Sequence, residues 1–449
     1  MNNIKNKNNY LIFLLISIYL LSRYILYDYF QIKADPNVLK PGWHVLDLYF
    51  LNKDLLNSIL YLHSQPPLWN LIIGIFTKIV NGNLINTSIL LNLLNYVLTI
   101  GIITFTYKIL IEFKVTKKLS FFITLILVIF NPNVIFYENI TIYNHLLAFL
   151  FTQLFWLVIK FFKTKKNLYE FLLYLNICIQ SLVWAGMHPV ILIFFFIVIS
   201  LLKKSLFNLG SICFMIIFFI SLSPLIKNKI IFNKFSNSTW LGINLASTLN
   251  NLDDAQCLYQ IIYPDSYESY RLNYNREIHH PIARANSGYA YRNSVTQIFF
   301  SDTCLSKSLQ QIKKTPIEYI KGRFIATVVS HSKFGFEYIY LRPQNFSFNN
   351  FFYDKKFLKI TKQFIIIIYM LLFYIFLTKK IFTKNNYRAE FILILSTYIF
   401  CNLISHLFNG YEQERFMYQF QILHVIFIAK IMSYFLYEKK KLKINIYFF

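Results

Sequence analysis

The chain has 449 residues, of which 56% are hydrophobic and 14% are charged, and its formal net charge is +25. A soluble protein of this composition would expose too much apolar surface to stay dispersed, so an ordinary soluble domain is excluded. Nucleic-acid binding is also excluded, because the basic residues cluster at the ends of apolar runs rather than along one face. Repeated apolar runs of about 20 residues, which suffice to cross a ~30 Å hydrocarbon core, predict an all-α polytopic membrane protein.

Ten of these runs are predicted to span the membrane. Their predicted bounds are 10–27, 84–108, 119–137, 142–160, 168–185, 189–203, 206–226, 362–379, 389–408 and 416–437. The first run follows Lys5 and Lys7 and lacks a small-residue cleavage site, so it is interpreted as a retained span. The run Leu68 to Val80 is short for a span and predicts a re-entrant or interfacial helix.

Lysine and arginine assign the two sides of the predicted bundle. Lysine-rich stretches are 114–118, 163–166, 203–204, 379–388 and the tail 439–443. The positive-inside rule therefore places both termini in the cytoplasm, and counting 68–80 as a full span would reverse every later loop. The polar loops that then lie on the outer face are 28–66, 131–145, 184–189, 227–361 and 409–415.

This topology divides the chain into three parts. Residues 1–226 form an N-terminal transmembrane module, 227–361 form an outer-face segment, and 362–449 form a C-terminal transmembrane module. The outer-face segment is long enough for a small soluble domain. It contains Cys257 and Cys304, and the sequence does not decide between a disulfide and two free thiols.

The first outer loop carries the strongest chemical signal. Residues 43–62 predict an amphipathic helix with Asp47, Asp54 and Ser58 on one face, which would lie along the membrane surface. Asp47 or Asp54 is a candidate general base for an acceptor hydroxyl or amine, and a solvated helix face is the alternative. His63 and two prolines follow, and the next helix is predicted to begin at the second proline.

This loop resembles the first outer loop of GT-C membrane glycosyltransferases of the aminoarabinose-transferase, protein-O-mannosyltransferase and Rgt-like type. Asp47 stands where the family has its catalytic aspartate, and Pro66-Pro67-Leu68 matches the family's proline motif. The sequence departs from the family at Leu48, which replaces the second acid of the usual pair, and at Gln65, which precedes the prolines. His63 lies two positions before Gln65.

The resemblance implies transfer of a sugar from a polyprenyl-phosphate donor to a glycan, lipid or protein acceptor on the outer face. The acceptor would attack the anomeric carbon with inversion while the lipid phosphate leaves, and nucleic acid would not take part. The implied setting is the cell envelope, with the protein among the lipids of a bacterial inner membrane and the active site periplasmic. No cofactor is certain, although a divalent cation, Mg²⁺ or Mn²⁺, could bind the outer carboxylates.

Within the resemblance, the leaving phosphate needs a cation. Arg415 at the membrane edge suits a charge-assisted phosphate contact, and Glu412 and Glu414 accompany it as substrate-binding candidates. The alternative is that Arg415 pairs with one of these glutamates or snorkels to the interface. Further cations that could share the contact are Lys227, Lys229 and Arg342.

The second and third outer loops supply the remaining substrate-binding candidates. Glu138 could orient the acceptor or the donor sugar, together with Tyr143, Asn144 and His145 at the head of the next helix. Helix capping and interfacial anchoring by tyrosine are the alternative. His188 is a candidate substrate contact, and a structural histidine at a span end is its alternative.

Two other functions stay open. A polysaccharide polymerase or O-antigen ligase has a comparable topology and usually relies on arginine and histidine in its large outer loop. The residues that would serve this function here are Arg271, Arg276, His279, His280 and Arg292. A transporter or flippase predicts ionisable residues midway along spans, and few are found, since Glu170 and Glu390 lie at predicted span ends.

Overall fold

A computed structural model describes residues 2–39, 45–204, 209–249, 293, 295–332, 397, 407, 418–433 and 436. Every extended regular element within these residues is helical. The helices are α1 (Asn2–Asp28), α2 (Leu48–Lys53), α3 (Leu55–Leu60), α4 (Leu68–Ile79), α5 (Leu84–Glu112), α6 (Lys117–Thr124), α7 (Pro132–Asn139), α8 (Asn144–Thr164), α9 (Asn167–Val183), α10 (Val190–Lys203), α11 (Leu209–Phe232), α12 (Leu241–Ala246), α13 (Val295–Lys314), α14 (Pro316–Ser332) and α15 (Gln421–Ser433). A 3₁₀ helix covers Pro36–Leu39 and a π-helical turn covers Leu125–Ile129.

Four described helices are long and apolar enough to cross a membrane, namely Asn9–Asp28 of α1, and α5, α8 and α11. A fifth candidate is broken, because Lys117–Ile129 and α7 meet at 47°. Helices α4 and α10 are apolar but shorter, with 12 and 14 residues. These helices agree with a multi-pass membrane protein.

The predicted spans match the helices unevenly. The predictions 84–108, 142–160 and 206–226 correspond to α5, α8 and α11. The single span predicted over 119–137 is interrupted, because Asn131 caps α7 and Pro132 begins it, and a proline inside a continuous helix would remove a backbone donor. The predictions 362–379 and 389–408 lie outside the described residues, apart from 397 and 407. The count of ten spans stays a prediction.

The segment between α1 and α4 also differs from its prediction. The single amphipathic helix expected over 43–62 is two short helices, α2 and α3, separated at Asp54. Asp54 leaves the helical region at φ −141°, its N–H donates to the Phe50 carbonyl, and its carboxylate accepts from the Asn57 amide. Aspartate competes for nearby backbone N–H groups in this way, which favours a break and a new start of the helix.

Helix α8 lies at the centre of the packing, with 72% of its most apolar window buried. It packs against both α5 and α9, and α9 in turn packs against α11. The predicted boundary between residues 226 and 227 falls inside α11. Beyond α11, helices α12 and α13 pack closely, since a Cβ atom added to Gly242 would lie 1.6 Å from the Ser301 carbonyl oxygen.

Candidate functional site

Asp47 is held at the start of α2. Its Oδ1 accepts a hydrogen bond from the Tyr49 amide at 2.9 Å, and its side chain is partly exposed. The preceding Leu46 amide donates to Oδ1 of Asn70, a buried residue of α4, at 2.9 Å. Helix α4 therefore fixes the backbone that carries Asp47, which is how a reactive carboxylate would have to be oriented.

Asp54 has the same role one helix later. Its two carboxylate oxygens accept from the backbone and side-chain amides of Asn57, at 3.4 and 2.8 Å. Its side chain is also partly exposed. Ser58, predicted on the same face, is buried instead, and its hydroxyl donates to the Phe50 carbonyl at 3.2 Å. Capping explains the positions of both carboxylates, and general-base chemistry stays a prediction for each.

His63 lies in the segment before the two prolines and is fully buried. Its Nδ1 is 2.7 Å from the Thr239 hydroxyl, and its ring packs edge-on against Phe232 at 4.7 Å. The Thr239 amide also donates to the His63 carbonyl at 3.1 Å. A substrate could reach this buried imidazole only after a rearrangement, and substrate binding by His63 stays a prediction.

Two further residues hold the same segment. The Asn293 side chain accepts from the amides of His63 and Ser64 at 2.9 and 3.0 Å and donates to the Tyr61 carbonyl at 3.0 Å. Lys227, near the end of α11, donates to the Leu62 carbonyl. The segment before the prolines is therefore clamped to α11 and to the residue that precedes α13.

Glu138 of α7 and Arg23 of α1 form a buried ion pair. The Nε and Nη2 atoms of Arg23 donate to the two Glu138 carboxylate oxygens at 2.6 and 3.2 Å. The Arg23 side chain is 5% exposed and the Glu138 side chain is 0% exposed. Arg23 Nη1 donates to the Ile129 carbonyl at 2.9 Å. The pair joins α1 to α7. The sequence indicated Glu138 as a candidate residue but did not indicate Arg23 as its partner.

The Glu138 carboxylate has additional donors. The Tyr19 hydroxyl lies 3.0 Å and the Thr99 hydroxyl 2.6 Å from its Oε1. The side-chain amides of Asn92 and Asn95 donate to the Glu138 backbone carbonyl at 2.8 and 2.9 Å. A buried carboxylate needs such donors because desolvation would otherwise make the charge costly.

His145 extends this network toward the C-terminal part of the chain. Its Nε2 is 2.8 Å from the Thr99 hydroxyl and 3.2 Å from the Asn95 carbonyl, and its Nδ1 is 2.6 Å from the Tyr418 hydroxyl. A carbonyl can only accept, so we assign the proton to Nε2. In this assignment the Tyr418 hydroxyl donates to Nδ1, His145 donates to Thr99, and Thr99 donates to Glu138.

The remaining predicted site residues are Tyr143, Asn144, His188, Glu412, Glu414 and Arg415. Tyr143 and Asn144 are buried at the start of α8. His188 is half-buried between α9 and α10; its Nδ1 accepts from the Val190 amide at 3.3 Å, and burial lowers the pKa of this histidine below its ordinary value. The predicted phosphate-binding residues lie outside the described part of the chain, namely Glu412, Glu414 and Arg415.

Two signals in the sequence could have identified the buried network. Arg23 lies within the first apolar run, where an unpaired cation is costly and a partner is expected. Asn92, Asn95 and Thr99 recur at spacings of three and four in a later run, which places them on one helix face. Together they predict a polar contact between the first and second spans.

The structure thus separates the predicted site into three groups. Glu138 and His145 share one buried network, His63 belongs to a buried clamp, and Asp47 and Asp54 are partly exposed caps. Within the described ranges, no three His, Cys, Asp or Glu side chains gather as a metal site. No protein-family model, curated protein sequence or solved structure matches the chain, so any proposed function rests on the sequence pattern and on this geometry.

Proposed function

We propose that the protein is an integral-membrane glycosyltransferase of the GT-C type. It transfers a sugar from a polyprenyl-phosphate donor to a glycan, lipid or protein acceptor. The observation that carries the proposal is the position of Asp47, a partly exposed carboxylate at the start of α2. It lies in the segment that joins the long apolar α1 to the short apolar α4, which begins directly after Pro66-Pro67.

In the proposed reaction, Asp47 accepts a proton from the acceptor hydroxyl or amine as that atom attacks the anomeric carbon. The bond between the anomeric carbon and the phosphate oxygen breaks, and the lipid phosphate leaves with the electron pair. Asp54 is the second candidate base. Lys227 is a candidate contact for the leaving phosphate, because its amino group donates to the Leu62 carbonyl near the proline motif, and a leaving phosphate needs hydrogen-bond donors or positive charge nearby.

Glu138 and His145 act as positioning residues in this proposal. Their side chains are fully buried, and their hydrogen bonds tie α1, α5, α7 and α8 together. Because Asp35 donates its amide to the Asn139 carbonyl at 3.3 Å, the end of α7 also contacts the first outer segment. The network can therefore orient the segment that carries Asp47 without touching substrate.

The proposed location is a bacterial inner membrane, with both termini in the cytoplasm and the active site periplasmic. Two sets of ion pairs support a common cytoplasmic end of the bundle. Glu112 pairs with Lys160 at 2.8 Å and also with Lys163. Glu170 pairs with Lys203. Lys163 and Lys203 are among the lysines that predict the cytoplasmic side.

A transporter is the second candidate function, and the buried Arg23–Glu138 pair with His145 favours it. Ionisable residues inside a helical membrane bundle mark ion or proton pathways in many transporters. A polymerase or ligase has no such support here, because its candidate arginines and histidines lie outside the described residues.

The decisive test is sugar transfer from a panel of radiolabelled polyprenyl-phosphate sugars in membranes expressing matched amounts of each variant. We expect the wild type to transfer sugar and Asp47→Asn to lose transfer. Asp35→Asn is the matched control, since Asp35 also caps its own segment by accepting from the Asn37 amide at 2.9 Å.

Transfer that persists in Asp47→Asn but is lost in Asp54→Asn would move the base to Asp54. Absence of transfer from every donor in the wild type would overturn the glycosyltransferase proposal. Uptake of a labelled solute or lipid into vesicles, lost in Glu138→Gln, would then favour the transporter.

A further inference from the structure

Helix α14 has two chemically different faces. Ile317, Ile320 and Phe324 recur at spacings of three and four, which puts them on one side of the helix. They are 75%, 61% and 69% exposed. Such exposure is unusual for three large apolar side chains in a row, and a contiguous apolar patch of this kind marks a contact surface.

The opposite face of α14 is polar and turned toward the protein. Tyr319 and Arg323 lie on it and, with Thr248 and Gln311, line a groove of about 170 Å³. The Thr248 hydroxyl donates to the Tyr319 hydroxyl at 3.4 Å, and the Tyr319 hydroxyl donates to the Leu407 carbonyl. These contacts fix the rotation of the helix, so the apolar face must point away from the protein.

Basic residues surround the apolar face. Lys313 and Lys314 end α13, one residue before α14 begins, and Lys321 lies between Ile320 and Phe324. All three lysines are exposed. Apolar side chains flanked by lysine are the pattern of a helix that lies in the membrane interface and contacts anionic headgroups.

The chain connections keep α14 close to the bilayer. Helix α11, a candidate span, ends at Phe232, and α12 begins shortly afterwards at Leu241. Helix α13 packs on α12, where the Gly242 amide donates to the Ser301 hydroxyl at 2.9 Å. Asn293, just before α13, is bonded to the segment that precedes α4. A surface helix attached to this assembly can reach the headgroup layer.

We propose that α14 is an in-plane membrane anchor. It places Ile317, Ile320 and Phe324 at the boundary of the acyl chains, and Lys313, Lys314 and Lys321 against anionic phospholipid headgroups. This inference does not depend on the glycosyltransferase proposal. It changes the interpretation of the outer-face segment from a soluble domain to a domain bound to the membrane surface along its own helix.

The test uses the full-length protein reconstituted in phosphatidylcholine vesicles with and without phosphatidylglycerol. Single cysteines are introduced by Ile317→Cys, Ile320→Cys and Phe324→Cys in a background without the natural cysteines, and are labelled with an environment-sensitive fluorophore. Gln310→Cys, an exposed polar position on α13, is the matched control. Lipids carrying a nitroxide at a shallow or a deep position report the depth of each label.

We expect the three α14 labels to be quenched to similar extents by the shallow nitroxide and the control label to be unaffected. Removing phosphatidylglycerol should lower the quenching of all three by about twofold or more, because the lysines lose their anionic partners. A graded depth from 317 to 324 would show a spanning helix, since seven residues rise about 10 Å. A graded depth would overturn the proposal. So would the absence of quenching at every one of the three sites, or quenching that is unchanged when the anionic lipid is left out.

Discussion

The buried Arg23–Glu138 pair makes a quantitative prediction about stability. Glu138→Gln keeps the size and shape of the side chain and removes only its charge. Arg23 is then left 5% exposed without a counter-ion, although it retains the Ile129 carbonyl and its contact over the Tyr19 ring at 4.7 Å. Breaking a buried pair by removing one partner costs about 3–5 kcal/mol of unfolding free energy.

The structure places Glu138→Gln at the lower end of that range. The side-chain carbonyl oxygen of the substituted glutamine could still accept from Tyr19 and Thr99, which now donate to Oε1 of the glutamate. The backbone carbonyl at this position keeps its bonds to Asn92 and Asn95. The substitution therefore weakens only the contacts with Arg23. We expect it to lower the unfolding free energy by about 3 kcal/mol.

The assay is equilibrium unfolding of the detergent-solubilised protein in increasing denaturant, followed by circular dichroism. Glu112→Gln is the matched control, because both Glu112 carboxylate oxygens also accept from cationic side chains, here Lys160 and Lys163, but at a partly exposed position. We expect this control to cost less than about 1 kcal/mol, as exposed pairs do. The double variant Arg23→Met with Glu138→Gln should recover most of the loss, because no buried charge is left unpaired.

Equal losses in Glu138→Gln and Glu112→Gln would refute the argument from burial. The single variant Arg23→Met completes the comparison. If the double variant lost as much stability as Arg23→Met and Glu138→Gln lose together, the claim that the two charges depend on each other would be refuted. If Glu138→Gln left stability unchanged but abolished sugar transfer, the carboxylate would have to act on substrate rather than on position.

Three further predictions follow from individual contacts. Gly242→Ala should lower the unfolding temperature sharply, because its Cβ would lie 1.6 Å from the Ser301 carbonyl oxygen. The control Gly322→Ala meets nothing within 4 Å and should be neutral or stabilising by up to about 1 kcal/mol. Similar effects of the two substitutions would contradict the close approach of α12 and α13. Asn293→Ala should cost about 1–3 kcal/mol, since three backbone groups lose their partner, and limited proteolysis should show faster cleavage near residue 61; unchanged protection would count against the clamp. The lowered pKa of His188 stabilises the fold above about pH 6.5, and this contribution is lost as the pH falls from there through the folded pKa. The unfolding temperature should therefore fall less between pH 7.5 and pH 5.5 in His188→Asn than in the wild type. An equal fall in both would remove His188 as a cause.

Much of the helical framework could be predicted from local sequence alone. The length of an apolar run and the positions of its polar ends are local properties, and they located α5, α8 and α11 closely. The chemistry of proline predicted a helix that begins at Pro67, one residue before α4 begins at Leu68 with Pro67 as its N-cap. Helix breaks inside an expected helix were harder to predict. Asp54 divides one expected helix into α2 and α3, and Asn131 with Pro132 interrupts one expected span.

The sequence by itself thus determined an apolar helical chain with a polar segment between α1 and α4 that carries Asp47 and Asp54. Only the tertiary structure decided which polar groups meet: Arg23 with Glu138, His63 with Thr239, and His145 with Tyr418, separated by 115, 176 and 273 positions. Buried polar groups must find partners wherever the packed helices bring them together, and that choice depends on helix rotation and packing rather than on spacing along the chain.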